Sequence, residues 1–360
     1  MRRLLLGAVL LILACEGAAT LPAPSQSSQR PATPVPTIDV TDMIGAFPAA
    51  TFFVVTDDGV KAVALLNHAT KYTIPTSGAV QVATAVAPPL TPSGGWVYIA
   101  DEISEGTRLR WVDAASGAVL ASWVERSRKL VATAIGHGAL VVEPTTARVL
   151  ALYADGDKRV VEAYDPYSLR PLGKRFESLC GDRLLAAADR VVVACLNAGE
   201  IVISDSGAKA FPVHAGLGAL VAAAISVDGT TLVGRDDGTL ARIAPAAVAV
   251  EKIEPFRIGR LAPDGIASPE AQSFAIGLIT SDSDLGISEL RGGRRYISFP
   301  AVSRGGSQAL ATPIGGILAQ GQFAFWSTGR EARHIDLQQG FAETMATFSG
   351  TLALPGGVGQ

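Results

Sequence analysis

The chain has 360 residues, 48% of them hydrophobic and 18% charged, with a formal net charge of −3. That length suits two ordinary domains or one large repetitive one, and the charge balance leaves no electrostatic footprint for nucleic acid. Beyond the N-terminus no apolar run approaches the roughly 18 to 20 residues that span a bilayer. Gly, Pro, Asp and Ser instead cut the apolar residues into short runs, with 38 glycines available for turns. Amphipathic helical periodicity is nearly absent, so the chain reads as all-β.

Met1-Arg2-Arg3 is a basic opening, and Leu4–Leu13 is an apolar segment with the proportions of a secretory signal. Ile12-Leu13-Ala14-Cys15 follows and resembles a bacterial lipobox. An aliphatic residue stands three before the cysteine and a small one immediately before it. Leu13 departs from the small residue usual between them. The resemblance implies a signal peptide at residues 1–14 and lipid attachment at Cys15, which becomes the first residue of the mature chain. Two acyl chains already anchor stably at ~0.8 kcal/mol per buried CH₂. The alternative is an ordinary signal peptide in which the cysteine is incidental. Residues 16–37 hold five prolines among Ser, Gln, Thr and Ala. Such a composition builds no core, so 15–37 is expected to be a lipidated linker. It spans about 25 Å as a coil or nearly 70 Å if polyproline-like.

The remainder, 38–360, reads as one unit repeated. Its clearest copy lies in Trp96–Val124, where Trp96–Ala100, Leu109–Val112 and Ala118–Trp123 are strand-length apolar runs separated by turn formers. An inner strand is expected in Val80–Val86. The preceding unit supplies Thr51–Asp57, Val60–Leu66 and Lys71–Pro75. A third unit is expected to hold Val131–Ile135, Ala139–Glu143, Val160–Tyr164 and Pro171–Phe176. Its Asp165-Pro-Tyr-Ser-Leu turn repeats Asp113-Ala-Ala-Ser-Gly117. The fourth has Leu184–Ala187, Val191–Cys195, Ile201–Ser204 and Ala208–Val213. The fifth has Val221–Ser226, Thr231–Gly234, Leu240–Ile243 and Val248–Ile253, with tight turns at Asp228-Gly229 and Asp236-Asp237-Gly238. Gly265–Ala267, Phe274–Thr280, Gly286–Leu290 and Arg295–Phe299 make the sixth. Ala309–Pro313, Gly316–Ala319, Phe323–Trp326 and Ala332–Ile335 make the seventh, leaving Thr344–Ala353 to complete the first. Units of this size fit a seven-bladed β-propeller; six or eight blades, or two packed β-sandwiches, are the alternatives.

The run VYIAD followed by RLRWVDAASGAVLASW resembles the YVTN-type propeller repeat of bacterial surface proteins, within the quinoprotein and WD-like superfamily. Quinoprotein repeats place Trp four residues after the turn glycine, whereas Trp123 stands six after Gly117. The resemblance implies a fold and a place in the cell envelope. It implies no activity, because propellers host enzymes, scaffolds and binders alike.

Of the three cysteines, Cys15 is assigned to the lipid. Cys180 and Cys195 remain as an even pair in an oxidising compartment, so a disulfide is expected, with two buried free thiols as the alternative. A turn at Asp189-Arg190 would set Cys195 beside Leu184, so bridging requires the chain to fold back through Gly181-Asp182.

No residues are nominated as catalytic, metal-binding or cofactor-binding. His68, His137, His214 and His334 share no ligand spacing. Asp282-Ser-Asp284-Leu-Gly286 reads as a hairpin turn and not a calcium loop. No GxSxG elbow, SxxK or Cys–His pair occurs, and Gly136-His-Gly138 and Gly216-Leu-Gly218 open onto strands, where the dinucleotide fingerprint fails. The inner strands, with Ala132-Thr133-Ala134, Ala186-Ala187 and Ala222-Ala223-Ala224, are small and apolar where a propeller enzyme gathers ionisable groups. Arg291-Gly-Gly-Arg294-Arg295-Tyr296 reads as a solvated tip, and Trp96, Trp111, Trp123 and Trp326 as core rather than sugar platforms. The resulting expectation is a membrane-anchored extracytoplasmic lipoprotein, on the outer side of the cytoplasmic membrane or in the outer membrane. Its propeller would bind an unknown protein or small ligand without catalysis. The alternatives are a lactonase-like propeller hydrolase and an accessory of envelope assembly.

Overall fold

A computed structural model describes residues 51–64, 69–85, 96–131, 138–187, 190–205, 210–245, 250–253, 259–270, 273–279, 285–291, 294–300, 302–303, 314–320, 323–327, 331–337, 341–347 and 351–352. All lie within the unit Val40–Gln360. The protein is all-β: every regular element among the described residues is a strand.

The strands form seven sheets, met in chain order. Sheet one begins with β1 (Thr51–Thr56), β2 (Gly59–Ala64) and β3 (Thr70–Ile74). Sheet two holds β4 (Val80–Ala85), β5 (Trp96–Ile103), β6 (Gly106–Asp113) and β7 (Val119–Glu125). Sheet three holds β8 (Lys129–Leu130), β9 (Leu140–Val142), β10 (Val149–Asp155), β11 (Lys158–Tyr164) and β12 (Pro171–Ser178). β13 (Arg183–Ala187), β14 (Arg190–Cys195), β15 (Glu200–Asp205) and β16 (Phe211–His214) form sheet four. β17 (Ala222–Ile225), β18 (Thr231–Gly234), β19 (Leu240–Ile243) and β20 (Val250–Ile253) form sheet five. Sheet six is β21 (Arg260–Glu270), β22 (Ser273–Ile279), β23 (Leu285–Arg291) and β24 (Arg294–Pro300). Sheet seven has β25 (Val302–Ser303), β26 (Ile314–Gln320), β27 (Phe323–Ser327), β28 (Glu331–Asp336) and β29 (Phe341–Thr347). The last strand, β30 (Thr351–Leu352), returns to sheet one and pairs with β1, Val54 opposite Leu352 and Val55 opposite Thr351.

Sheet two shows why these sequences need one another. Side chains alternate across a strand, so Trp96, Tyr98 and Ala100 share one face with Leu109 and pack with Leu150, Leu152 and Tyr164 of sheet three. Val97 and Ile99 take the opposite face with Val112 and pack with Phe53, Val60 and Ala62 of sheet one. Both faces are covered, which is why the WVYIA run is apolar throughout rather than alternating. The same logic continues around the molecule. The sheet-three cluster extends to Leu184, Val191 and Val193 of sheet four. The other face of sheet four, Val192, Ala194 and Ile203, meets Val233 and Ala241 of sheet five. Ala222 and Leu232 then meet Phe274 and Ile276 of sheet six, and Ala275 and Ile287 meet Ile317 and Trp326 of sheet seven. β30 lies against β26 and β27 of sheet seven while it pairs with β1, so the closing strand joins the last sheet to the first. Each fully buried aliphatic or Phe side chain in these clusters contributes roughly 1.5–3 kcal/mol.

Three turns at one end of sheets two and three share a construction. Gly117 N–H donates to Asp113 O, Ala147 to Glu143 O and Leu169 to Asp165 O, at 2.8, 2.8 and 2.9 Å. The donor residue has positive φ in each case: Gly117 at 75°, Ala147 at 56° and Leu169 at 54°. The acid side chain caps the turn. Asp113 Oδ1 accepts N–H bonds from Ala115 and Ser116, and Asp165 Oδ1 accepts them from Tyr167 and Ser168. Two of the turns are also held by the preceding sheet through the same atom. Tyr72 OH donates to Ala114 O at 2.8 Å, and Tyr98 OH donates to Pro166 O at 3.0 Å. Burial pushes both tyrosine hydroxyls well above their usual range. Gly117 is glycine for a second reason, since a Cβ there would stand 2.6 Å from the Tyr72 ring.

The structure corrects several sequence expectations. Val149–Asp155 is a full strand, β10, and only Leu140–Val142 of the expected Ala139–Glu143 strand forms. The Glu143 turn between them was not recognised because Ala147, not glycine, takes its left-handed position. In sheet seven β26 starts at Ile314, and the expected inner strand Ala309–Pro313 lies outside the described residues. The segment Thr344–Ala353 is divided: through Thr347 it belongs to β29 of sheet seven, and only Thr351–Leu352 closes sheet one. Leu184 pairs with Val193 and Arg183 with Ala194, so the register beside Cys195 is shifted by two residues from that expected.

Two outcomes follow from the turns. Ala147 is only partly buried, and a left-handed non-glycine residue costs about 1–2 kcal/mol, part of which glycine's extra chain entropy takes back. Ala147→Gly should therefore stabilise by about 0.5–1 kcal/mol, read as a rise of about 1–3 °C in Tm. Asp165 is held below the ordinary carboxylate range, first by the Ser168 N–H, against the opposing effect of burial, and further by the Ser168 hydroxyl and the Tyr167 N–H. A depressed folded-state pKa gives stability that is present above the unfolded value of about 4 and is lost as pH falls through the folded value. Thermal melts of wild type and Asp165→Asn should differ by a constant amount from pH 7 to 5. That difference should shrink below about pH 4.

Candidate functional site

The innermost strands of a propeller line its channel, where ligand and catalytic groups usually converge. Here β13 and β17, the first strands of sheets four and five, carry small buried residues, Ala186, Ala187, Ala222 and Ala224. Neighbouring sheets are tied together beside it by hydrogen bonds. The buried Gln81 side chain accepts the Ala139 N–H at 2.9 Å, linking sheet two to sheet three. Leu184 N–H donates to Gly138 O, and Asp264 N–H to Val221 O.

One contact reaches further. Arg183, at the start of β13, donates from Nε to Asp264 Oδ1 at 2.9 Å, and its Nη2 pairs with Asp264 Oδ2. The two residues are 81 apart in sequence and join sheets four and six past sheet five. The Arg183 side chain is 4% exposed and that of Asp264 19%. Asp264 occupies the left-handed region at φ 50°, inside the irregular stretch of β21 between Leu261 and Ile266. Two glycines flank the pair. A Cβ on Gly138 of sheet three would stand 2.5 Å from an Arg183 guanidinium nitrogen, and one on Gly316 of sheet seven 2.5 Å from Asp264 Cβ. Four of the seven sheets therefore converge on one bidentate ion pair. Such a fork is directional as well as charged, and once buried it acts more as a specificity device than as a source of net stability.

Sequence reasoning did not single out Arg183 or Asp264. It expected small, apolar inner strands; Ala186, Ala187, Ala222 and Ala224 are buried in β13 and β17, but Arg183 opens β13 and meets Asp264. The available signal was Asp264-Gly265, a dipeptide suited to positive φ in the middle of a strand. Its partner is set by tertiary structure alone.

The residues nominated from sequence fall elsewhere. Cys15, His68, His137, Asp282 and Asp284 lie outside the described residues. Cys180 and Cys195 form a disulfide with Cα atoms 5.4 Å apart. The chain folds back beside it: Asp182 N–H donates to Ala194 O, and the Asp182 carboxylate accepts the Leu196 N–H at 2.7 Å. On the chain-entropy view a bridge over this separation is worth roughly 3 kcal/mol. His214 is exposed and faces Glu200 at 3.4 Å; His334 lies in β28. Arg291 binds its own strand neighbour Glu289. Gly216 and Gly218 occur in the link between sheets four and five, both with positive φ. Among the described residues no group of three or more His, Cys, Asp or Glu is placed to hold a metal ion.

The tryptophans are core residues. Trp96 and Trp326 are fully buried; Trp111 and Trp123 pack beside Trp96 in the cluster between sheets two and three. Trp96, Trp111 and Tyr167 meet edge-on with centroids 5.1 to 5.7 Å apart. Tyr167, carried out by the Asp165 turn, is the half-exposed member.

No family model matches the chain, and no curated protein matches it in sequence. Solved structures do match in fold. The chain is similar to BamB from Moraxella catarrhalis at 15% identity, over 78% of this chain and 79% of that one, with a TM-score of 0.47. It is similar to the dihydro-heme d1 dehydrogenase NirN in complex with DHE at 15% identity and a TM-score of 0.51. That likeness covers 82% of this chain and 63% of the longer NirN chain. The class the fold defines is the β-propeller. At this identity the likeness concerns architecture alone, since one propeller framework serves unrelated activities.

The clasp predicts a distinct mutational pattern. Asp264→Ala removes the carboxylate facing a buried guanidinium and leaves a Cβ-bearing residue at positive φ. It should cost about 3 kcal/mol in a denaturant titration. Asp264→Asn keeps a side-chain oxygen and tolerates the left-handed backbone, so its loss should be clearly smaller.

Proposed function

We propose that the chain is a lipid-anchored extracytoplasmic protein whose YVTN-type propeller, residues 38–360, is a non-catalytic binding or scaffold module. Residues 1–14 serve as its signal peptide and Cys15 carries the lipid, with 15–37 as the stalk. The observation that carries the reading is the Arg183–Asp264 pair. The two charged groups, Arg183 of sheet four and Asp264 of sheet six, are spent on each other and on joining those sheets. A propeller enzyme instead holds such groups ready for a substrate. The disulfide supports the extracytoplasmic placement, because structural disulfides persist in oxidising compartments. Binding then falls to the loops and the outer surface, where Tyr167, Val119 and Leu120 are exposed.

The test is Cys15→Ser in the native host. The substituted protein should leave the membrane fraction and carry no acyl mass on its N-terminal peptide, while its propeller melts at the wild-type temperature. Continued membrane association of the unacylated variant would overturn the anchored reading.

A further inference from the structure

In sheets one to six no described strand pairs with the outer edge of the last strand, and five of these six strands carry a charge or a proline within them; in sheet seven β25 covers the edge of β29. They are Lys71 in β3, Lys174 in β12, Pro212 in β16, Glu251 in β20 and Arg295 in β24. Such residues are how natural sheets discourage another strand from pairing at a free edge. β7 is different. From Val119 to Val124 it reads VLASWV, with neither charge nor proline. Its one charge, Glu125, stands at the end, and its carboxylate accepts from the Ser127 hydroxyl at 2.6 Å and from Arg128 at 3.2 Å. Val119 and Leu120 are 49% and 48% exposed. A bulge at Leu120 interrupts the ladder with β6 at one end, whereas Ala121–Glu125 pair regularly with Thr107–Trp111. No described strand pairs with the outer edge of β7.

We infer that this edge pairs, antiparallel, with β7 of a second copy of the chain. The absence of charge argues for the occupant. A charged strand laid here would lose hydration and find no counter-charge, and among the free outermost strands of sheets one to six only β7 carries neither a charge nor a proline within it. Pairing about a two-fold axis near Ser122 sets Ala121 opposite Trp123 of the second copy and Leu120 opposite its Val124, with no like charges facing. The contact is isologous, so it closes at two copies and consumes both free edges. Outer-edge addition already occurs once within the fold: β25 lies parallel on β29, Val302 beside Phe341, as a fifth strand outside sheet seven. Two propellers touching along one sheet each bury less than the ~1,200 Å² of a standard stable interface. Backbone hydrogen bonds therefore carry the association, and it depends on concentration. The inference does not rest on the lipid anchor.

Thiol crosslinking of the full chain tests it. Ser122→Cys, at an exposed position of β7, is treated with a short bis-maleimide beside Glu251→Cys on β20 and the unsubstituted chain. A crosslinked dimer is expected from Ser122→Cys well above both controls. Adding Leu120→Lys should return it to the control level, because it places a charge on the paired edge of each copy. Equal crosslinking through Glu251→Cys would overturn the inference, as would a Ser122→Cys dimer indifferent to Leu120→Lys. Crosslinking of Ser122→Cys to a different protein without the dimer would also overturn it, and would assign the edge to an extended segment of that protein.

Discussion

A four-stranded sheet that is apolar on both faces cannot exist alone in water, and the rest of this protein depends on how that constraint is met. Each sheet finds one cover in the sheet before it and another in the sheet after it, so the hydrophobic clusters run through the molecule in chain order. The first and last sheets would each lack a cover if the series stayed open. β30 removes that defect by pairing with β1 while lying against sheet seven. Closure is therefore part of the same burial that shapes each sheet and not a separate fastening.

The constraint explains which parts of the fold were legible. In sheets two and five the apolar runs are unbroken and glycine or Asp-Gly marks the turns, so the strands could be read from Trp96–Val124 and Val221–Ile253, with β18 and β19 at their expected bounds and β5 and β6 longer than expected by three and four residues. Sheet three hid a strand because the Glu143 turn places Ala147 where a glycine would have announced the bend. The C-terminal end was offset because β29 and β30 are both β-prone and only three residues separate them. Pairing partners, not propensity, decide which sheet each joins. Arg183 and Asp264 were illegible for a related reason. Nothing local connects residues 81 apart, and their meeting depends on how sheets four and six pack past sheet five.

The clasp also bears on how the sheets are held together. An exposed ion pair would contribute little, but this one is shielded and bidentate, and Gly138 and Gly316 give up their side chains to make room for it. Four innermost strands have thus adjusted to one contact. The contact fixes the relation among the sheets that meet there.

The outer surface is where the repeats differ. The burial that makes the sheets alike acts on their faces and leaves the outermost edges under a separate requirement, that of not pairing indiscriminately. Lys71, Pro212 and Glu251 meet that requirement by different means in sheets one, four and five. The edge of β7 omits the safeguard that the free last strands of sheets one, three, four, five and six carry. Core packing accounts for Ala121 and Trp123, which lie against the cluster between sheets two and three, but not for Val119 and Leu120, which are half exposed. An uncharged edge on so well formed a sheet is therefore better explained by a strand that pairs with it than by the needs of the fold.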